Sequence, residues 1–106
     1  AAVMLQGTTL NVFWTEVGDA PEHIKLSKID LSNDWSLWSV NEPVEILRPK
    51  YAWEGANAAL EPSVRSVAYG AVNQLRDPAI FIDGNETFLL YAVAGESGIA
   101  IAQLEP

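Results

Sequence analysis

An internal repeat constrains this chain of 106 residues more than any other feature. A shift of 77 positions aligns residues 2–19 (AVMLQGTTLNVFWTEVGD) with residues 79–96 (AIFIDGNETFLLYAVAGE) without a gap. The shift pairs Gly7 with Gly84 and Gly18 with Gly95. It also aligns the apolar triplet at residues 3–5 with the one at residues 80–82. Such self-similarity indicates that one supersecondary unit occurs twice in the chain.

Each copy of the repeat predicts three short strands, rich in β-branched and aromatic residues and separated by turns that contain Gly. The predicted strands span residues 2–6, 10–15 and 23–29 in the first copy, and 79–82, 87–93 and 98–104 in the second. A fourth strand of the first copy is expected within residues 35–40 or 44–47. The second copy has no segment for a fourth strand.

The predicted strands differ in their apolar pattern, which indicates a fold class. The first strand of each copy is almost wholly apolar and the third alternates, so we expect burial to fall from first to third. A repeated antiparallel meander with this gradient is typical of β-propeller blades. The sequence therefore predicts an all-β fold of about two blades. The first blade spans residues 1–47, a long connecting loop 48–76, and a second, incomplete blade 77–106.

Composition argues against several classes of function. The chain has no cysteine and a single histidine, His23, so neither a disulfide framework nor a zinc site is expected, and no cofactor is predicted. A net charge of -8 would repel phosphate backbones, which makes nucleic acid a poor partner. No apolar run approaches the ~20 residues of a membrane span. The first residues lack the charged region of a signal peptide. We expect a soluble chain of unknown compartment.

Four segments carry a resemblance to a known family. They are residues 18–35 (GDAPEHIKLSKIDLSNDW), 46–49 (ILRP), 53–57 (WEGAN) and 74–104 (QLRDPAIFIDGNETFLLYAVAGESGIAIAQL). Together they resemble the C-terminal part of bacterial proteins that look like five-bladed propellers of the glycoside hydrolase family 43 type. The resemblance covers nearly all of this chain but only the last third of such a protein.

The resemblance implies two candidate catalytic carboxylates. In that hydrolase class one carboxyl group acts as acid and another as base or nucleophile. Asp77, before Pro78, resembles the general-base motif of the family, and Glu54, before Gly55, resembles its general-acid motif. The two motifs occur here in the reverse of the family's order, and a third family carboxylate has no clear counterpart.

Each candidate also has a structural alternative. An Asp before Pro is often a turn residue, and Glu54 would then be an ordinary loop residue beside a packed Trp. In the functional alternative, Trp53 stacks on a pyranose face next to Glu54, and Arg76 pairs with Asp77 or another carboxylate. The acidic residues that follow Gly18 and Gly95 are interpreted as solvated turn residues.

Two blades cannot close a ring, so the apolar faces of the terminal sheets are expected to associate. This predicts a homo-oligomer, either a dimer with four blades or a trimer with six. Three functions stay open. One is a carbohydrate-binding module or non-catalytic piece of a hydrolase-like propeller, the second a glycoside hydrolase active only in a completed ring, and the third a structural self-associating β-domain. Catalysis by the chain alone is not expected, because carboxylates from several blades must converge within about 5 to 10 Å.

Overall fold

The computed structural model of the chain describes residues 1–66 and 68–105, so Val67 and Pro106 lie outside the description. Within these residues, seven strands form two antiparallel sheets, which confirms the all-β class. Sheet 1 contains β1 (Ala2–Gln6), β2 (Thr9–Trp14), β3 (Ile24–Asp30) and β4 (Val44–Leu47). Sheet 2 contains β5 (Arg76–Asp83), β6 (Glu86–Val93) and β7 (Gly98–Leu104).

Both sheets are meanders, and their first hairpins share one register. Ala2 lies opposite Phe13 in sheet 1, and Ala79 lies opposite Leu90 in sheet 2. The shift of 77 positions relates these two pairs, and it relates the other pairs of the two hairpins as well. The repeat in the sequence is therefore a repeat in the structure.

The fourth strand and the start of β5 refine the predicted elements. Of the two segments proposed for a fourth strand, residues 44–47 form β4, whereas Trp35–Leu37 is a short 3-10 helix. Strand β5 begins at Arg76, whereas the sequence predicted a start at Ala79. A bulge between Arg76 and Ala79 accommodates Pro78 within the strand. A bulge is one of the few places where a strand tolerates proline.

The expected order of burial among the strands is wrong. The middle strands supply most of the core, with Phe13 in β2 and Leu89 and Tyr91 in β6. Strand β1 instead leaves Val3 and Leu5 59% and 61% exposed. The middle strands have hydrogen-bonded neighbours on both sides, whereas β1 is an edge strand with only one face against sheet 2.

The two sheets are joined by apolar packing and by backbone hydrogen bonds. Strand β5 lies against β1 and β2, and the core between the sheets includes the fully buried Ile24 and Leu75. The Leu75 N–H donates to the carbonyl of Glu22 at 2.9 Å, next to a parallel bridge between Glu22 and Gln74. None of the helices in the described part of the chain is long and apolar enough to cross a membrane.

Candidate functional site

A cleft of about 360 Å³ lies where the two sheets meet, and we call it the seam cleft. Segments from both halves of the chain contribute to it: the segment between β2 and β3, the connecting loop, the start of β5 and the turn after β6. Its lining residues are Thr15, Val17, Glu22, Val64, Ser66, Arg76, Asp77 and Glu96. Three carboxylates against one guanidinium make the lining acidic.

Asp77 is an exposed residue of the seam cleft. It lies in the β5 bulge with a φ of 53°, in the left-handed region, which an Asp side chain tolerates better than most. A second cleft, which Leu90 and Ile99 help to line, also reaches Asp77. Bulges often re-aim a side chain beside a functional site. Asp77 is therefore placed where a ligand can reach it.

Arg76 is buried in the wall of the same cleft, at 7% exposure. Its Nη1 donates to the carbonyl of Ser66 at 2.8 Å and its Nη2 to the carbonyl of Val64 at 3.2 Å. The ion pairs of Arg76 are with Glu22, 3.6 Å from Nε, and Glu96, 4.0 Å from Nη1. The loop thus fixes the guanidinium plane, and Arg76 pairs with carboxylates other than Asp77.

Glu22 is the residue of this site that sequence reasoning missed. It is only 3% exposed. It stands two positions before Ile24, which is fully buried, and residues two apart in extended chain share a face. That spacing was the available signal for a buried carboxylate.

Two polar atoms in the wall of the seam cleft have no hydrogen-bond partner among the described residues. They are Glu22 Oε1 and Arg76 Nε, which lie 3.6 Å apart, beyond hydrogen-bonding distance. Buried polar groups in folded proteins nearly always have a partner, and each exception calls for a reason. Here the reason is the ion pair, because the two atoms are buried against each other and their opposite charges attract.

Glu54 has a different environment from Asp77 and does not line the seam cleft. Its carboxylate is buried, and Oε1 accepts hydrogen bonds from the backbone amides of Lys50 at 2.9 Å and Tyr51 at 3.0 Å. Its Oε2 lies 3.5 Å from the hydroxyl of Tyr91, the donor. These contacts favour the structural alternative, in which Glu54 fastens the connecting loop to β6.

Gly55, the other half of the Glu-Gly motif, is explained by packing. Its φ of 95° is in the left-handed region, and an added Cβ would lie 2.0 Å from the carbonyl oxygen of Val72. Only glycine fits a backbone approach this close. The motif therefore has a structural reason at both of its positions.

Trp53 lies on the surface, 57% exposed, and stacks on Tyr51 with ring centroids 5.4 Å apart and planes 9° apart. It does not line the seam cleft. Of the four candidates from the sequence, the structure brings Arg76 and Asp77 together in one cleft, and it leaves Trp53 and Glu54 outside it.

Comparison with known proteins gives a viral relative. An uncharacterized protein of Acanthamoeba polyphaga mimivirus is 46% identical to this chain over 99 residues. The match covers 92% of this chain but spans only 28% of the length of that relative. The expectation of bacterial kinship is wrong on this finding, because the relative is viral. No family model and no solved structure matches the chain.

Proposed function

We propose that the chain is part of a propeller-type domain that binds carbohydrate in the seam cleft and does not cleave it. The observation that carries the proposal is the polar lining of the seam cleft, to which the exposed carboxylate of Asp77 and the Glu22–Arg76 ion pair both belong. A sugar hydroxyl donates one hydrogen bond and accepts others. Hydroxyls of one sugar can therefore donate to Asp77 while the sugar lies against the charged groups of the cleft wall.

The charge of the cleft supports a neutral ligand. Glu22, Asp77 and Glu96 outnumber Arg76, and the whole chain carries a net charge of -8. A phosphate or carboxylate group would be repelled by this surface. A polyol has no charge to repel, and the exposed Asp77 adds an acceptor for its hydroxyls.

The resemblance to family 43 propellers also supports the proposal. The Arg-Asp-Pro segment that carries it begins β5, and its Arg76 and Asp77 both line the seam cleft. The segment that carries the resemblance therefore reaches the cleft.

The proposal is tested by binding to a panel of immobilised neutral oligosaccharides, followed by calorimetry with the strongest binder. We expect Asp77→Asn and Glu22→Gln each to weaken binding about 10-fold or more, because a hydrogen bond to a charged group contributes about 1.5–3 kcal/mol. Trp53→Ala is the matched control, since it removes an exposed aromatic ring outside the cleft, and it should leave the affinity unchanged. Binding that is lost in Trp53→Ala and retained in both cleft variants would contradict the proposal.

A second candidate is hydrolysis of glycosidic bonds in a completed ring. The observation that favours it is the presence of two carboxylates, Glu22 and Asp77, on one cleft. Hydrolysis needs a proton donor and a second carboxylate on either side of the bond, and Glu54 does not line this cleft. We therefore expect this chain to release no product from aryl glycosides. Turnover that Asp77→Asn abolishes would favour the hydrolase over the binding module.

A further inference from the structure

The two sheets pack through unlike faces. Sheet 1 contributes the face that carries Ala2, Met4 and Phe13, which we call its front. The shift of 77 positions relates this front to the face of sheet 2 that carries Ala79, Phe81 and Leu90. Sheet 2 does not pack on sheet 1 through this equivalent face. It packs through its other face.

The side of sheet 2 that packs is equivalent to the exposed side of sheet 1. Sheet 2 buries Leu89 and Tyr91 against sheet 1, with Ile80 beside them. The residues related to these three by the repeat form the back of sheet 1, and they are Val12, Trp14 and Val3. Within the chain, the front of sheet 1 therefore packs on the back of sheet 2.

In the part of the chain that the structure describes, this leaves one front and one back with no sheet packed on them. On the front of sheet 2, Phe81, Ile99 and Ile101 are 51%, 79% and 59% exposed. On the back of sheet 1, Val3 and Leu5 are 59% and 61% exposed. Each open face is the repeat equivalent of a face that is already buried within the chain.

The middle of the front of sheet 2 is apolar. By the strand register, its side chains there are Ala79, Phe81, Phe88, Leu90, Ala92, Ile99, Ile101 and Gln103. The same alternation places Asp83 and Glu86 on this face, at the turn between β5 and β6. The charged side chains of these two residues therefore lie at one end of the apolar surface. An apolar surface of this kind on a soluble domain marks an interaction site.

We propose that copies of this chain associate head to tail, with the front of sheet 2 of one copy packed on the back of sheet 1 of the next. The contact repeats the one already present between the two sheets. Such a heterologous contact joins unlike surfaces, and it closes into a ring when the rotation between copies permits. A ring of two or three copies satisfies both open faces of every copy. The inference does not depend on the proposed function.

The test uses two variants that each block one open face. Ile101→Glu places a charge on the front of sheet 2, and Val3→Glu places one on the back of sheet 1. Both positions are exposed within one copy, so the fold should tolerate them, which circular dichroism checks. By light scattering after gel filtration, wild-type protein should have two or three times the mass of one chain, and each variant alone should have the mass of one.

Mixing the two variants distinguishes head-to-tail contact from contact between like faces. The mixture retains one intact front and one intact back, so it should form a 1:1 heterodimer that neither variant forms alone. Leu60→Glu, an exposed apolar position in the connecting loop at 67% exposure, is the control and should assemble like wild type.

Three outcomes would overturn the proposal. A single blocked variant that still forms dimers would indicate pairing of like faces. Mixed variants that stay monomeric would exclude the head-to-tail contact. Wild-type protein that is monomeric at its highest soluble concentration would indicate that further sheets of a longer chain cover these faces, as the length of the viral relative permits.

Discussion

Two buried glutamates, Glu22 and Glu54, differ in the hydrogen bonding of their carboxylates. Each is 3% exposed. Glu54 accepts hydrogen bonds from two backbone amides and lies beside the hydroxyl of Tyr91. Among the described residues, Glu22 Oε1 has no hydrogen-bond partner, and its carboxylate forms an ion pair with Arg76 in the wall of the seam cleft. The difference teaches that two equally buried carboxylates can be held by different contacts, and of these two only the ion-paired one lines the seam cleft.

The largest expected effect is at Gly55, which allows the Glu54 loop to approach Val72. Gly55→Ala introduces a Cβ 2.0 Å from the Val72 carbonyl oxygen at a φ of +95°. We expect it to lower the free energy of unfolding by ~3 kcal/mol or more, because strain and overpacking add. Urea unfolding measures the change.

Gly84→Ala is the matched control for Gly55→Ala. It has a φ of +60° but no atom within 4 Å of the added Cβ, so it should cost only ~1–2 kcal/mol, from the left-handed backbone alone. Equal effects at the two glycines would mean that the Glu54 loop is not tightly packed.

The next largest effect is at Glu54 itself. Glu54→Ala leaves the backbone amides of Lys50 and Tyr51 without their side-chain acceptor, and we expect a loss of about 1–3 kcal/mol in unfolding free energy. Glu54→Gln retains an acceptor oxygen and should lose less. A Glu54→Ala protein of unchanged stability would contradict the structural role of this carboxylate.

Glu22→Gln tests the other glutamate of the comparison. The substitution removes the charge that pairs with Arg76 at 3.6 Å. Arg76 keeps its hydrogen bonds to the carbonyls of Ser66 and Val64, so we expect a loss of about 1–2 kcal/mol in unfolding free energy. The affinity for sugar should fall instead. A loss of stability as large as that of Glu54→Ala, with the affinity retained, would make Glu22 structural too.

The smallest effect is the pH dependence contributed by Tyr91. Burial, and then the charge and hydrogen bond of Glu54, raise the pKa of Tyr91 above its usual value. Below the unfolded pKa of about 10 the contribution of the neutral hydroxyl to stability is fully present. It is lost as the pH rises above that value, since the unfolded chain gives up the proton first.

Tyr91→Phe has no hydroxyl to titrate and tests this pH dependence. The unfolding free energy of wild type should fall more than that of the variant between about pH 8 and about pH 11. Parallel changes in the two proteins would show that Tyr91 does not couple to the fold in this way.

The strands could be predicted from the sequence because their apolar runs and Gly turns are local signals, repeated twice. The bulge at Asp77 could not, because a proline argues against a strand and only the pairing with β6 shows where the ladder resumes. The prediction that burial falls from the first strand to the third was wrong for a related reason. A strand that is apolar on both faces, such as β1, does not reveal which face has a neighbour.

The candidate site was predictable only in part. The resemblance pointed to Asp77, which lines the seam cleft, and to Glu54, which does not. Arg76 was expected to pair with a carboxylate, and it lines the cleft as well. The burial of Glu22 depends on contacts with Gln74 and Leu75, and the role of Glu54 depends on Tyr91, all distant in sequence. Contacts of that kind leave no local pattern to detect.

The central claim, that sugar binds in the seam cleft, is tested most directly by the nuclear magnetic resonance signal of the Arg76 Nε–H. Arg76 lines the seam cleft, whereas Arg48 does not, and its Nε–H donates to Glu45 at 2.9 Å on the surface. On titration with the oligosaccharide that binds best, the Arg76 signal should shift to saturation and the Arg48 signal should stay in place. An unchanged Arg76 signal, with shifts gathered instead around Tyr51 and Trp53, would contradict the account.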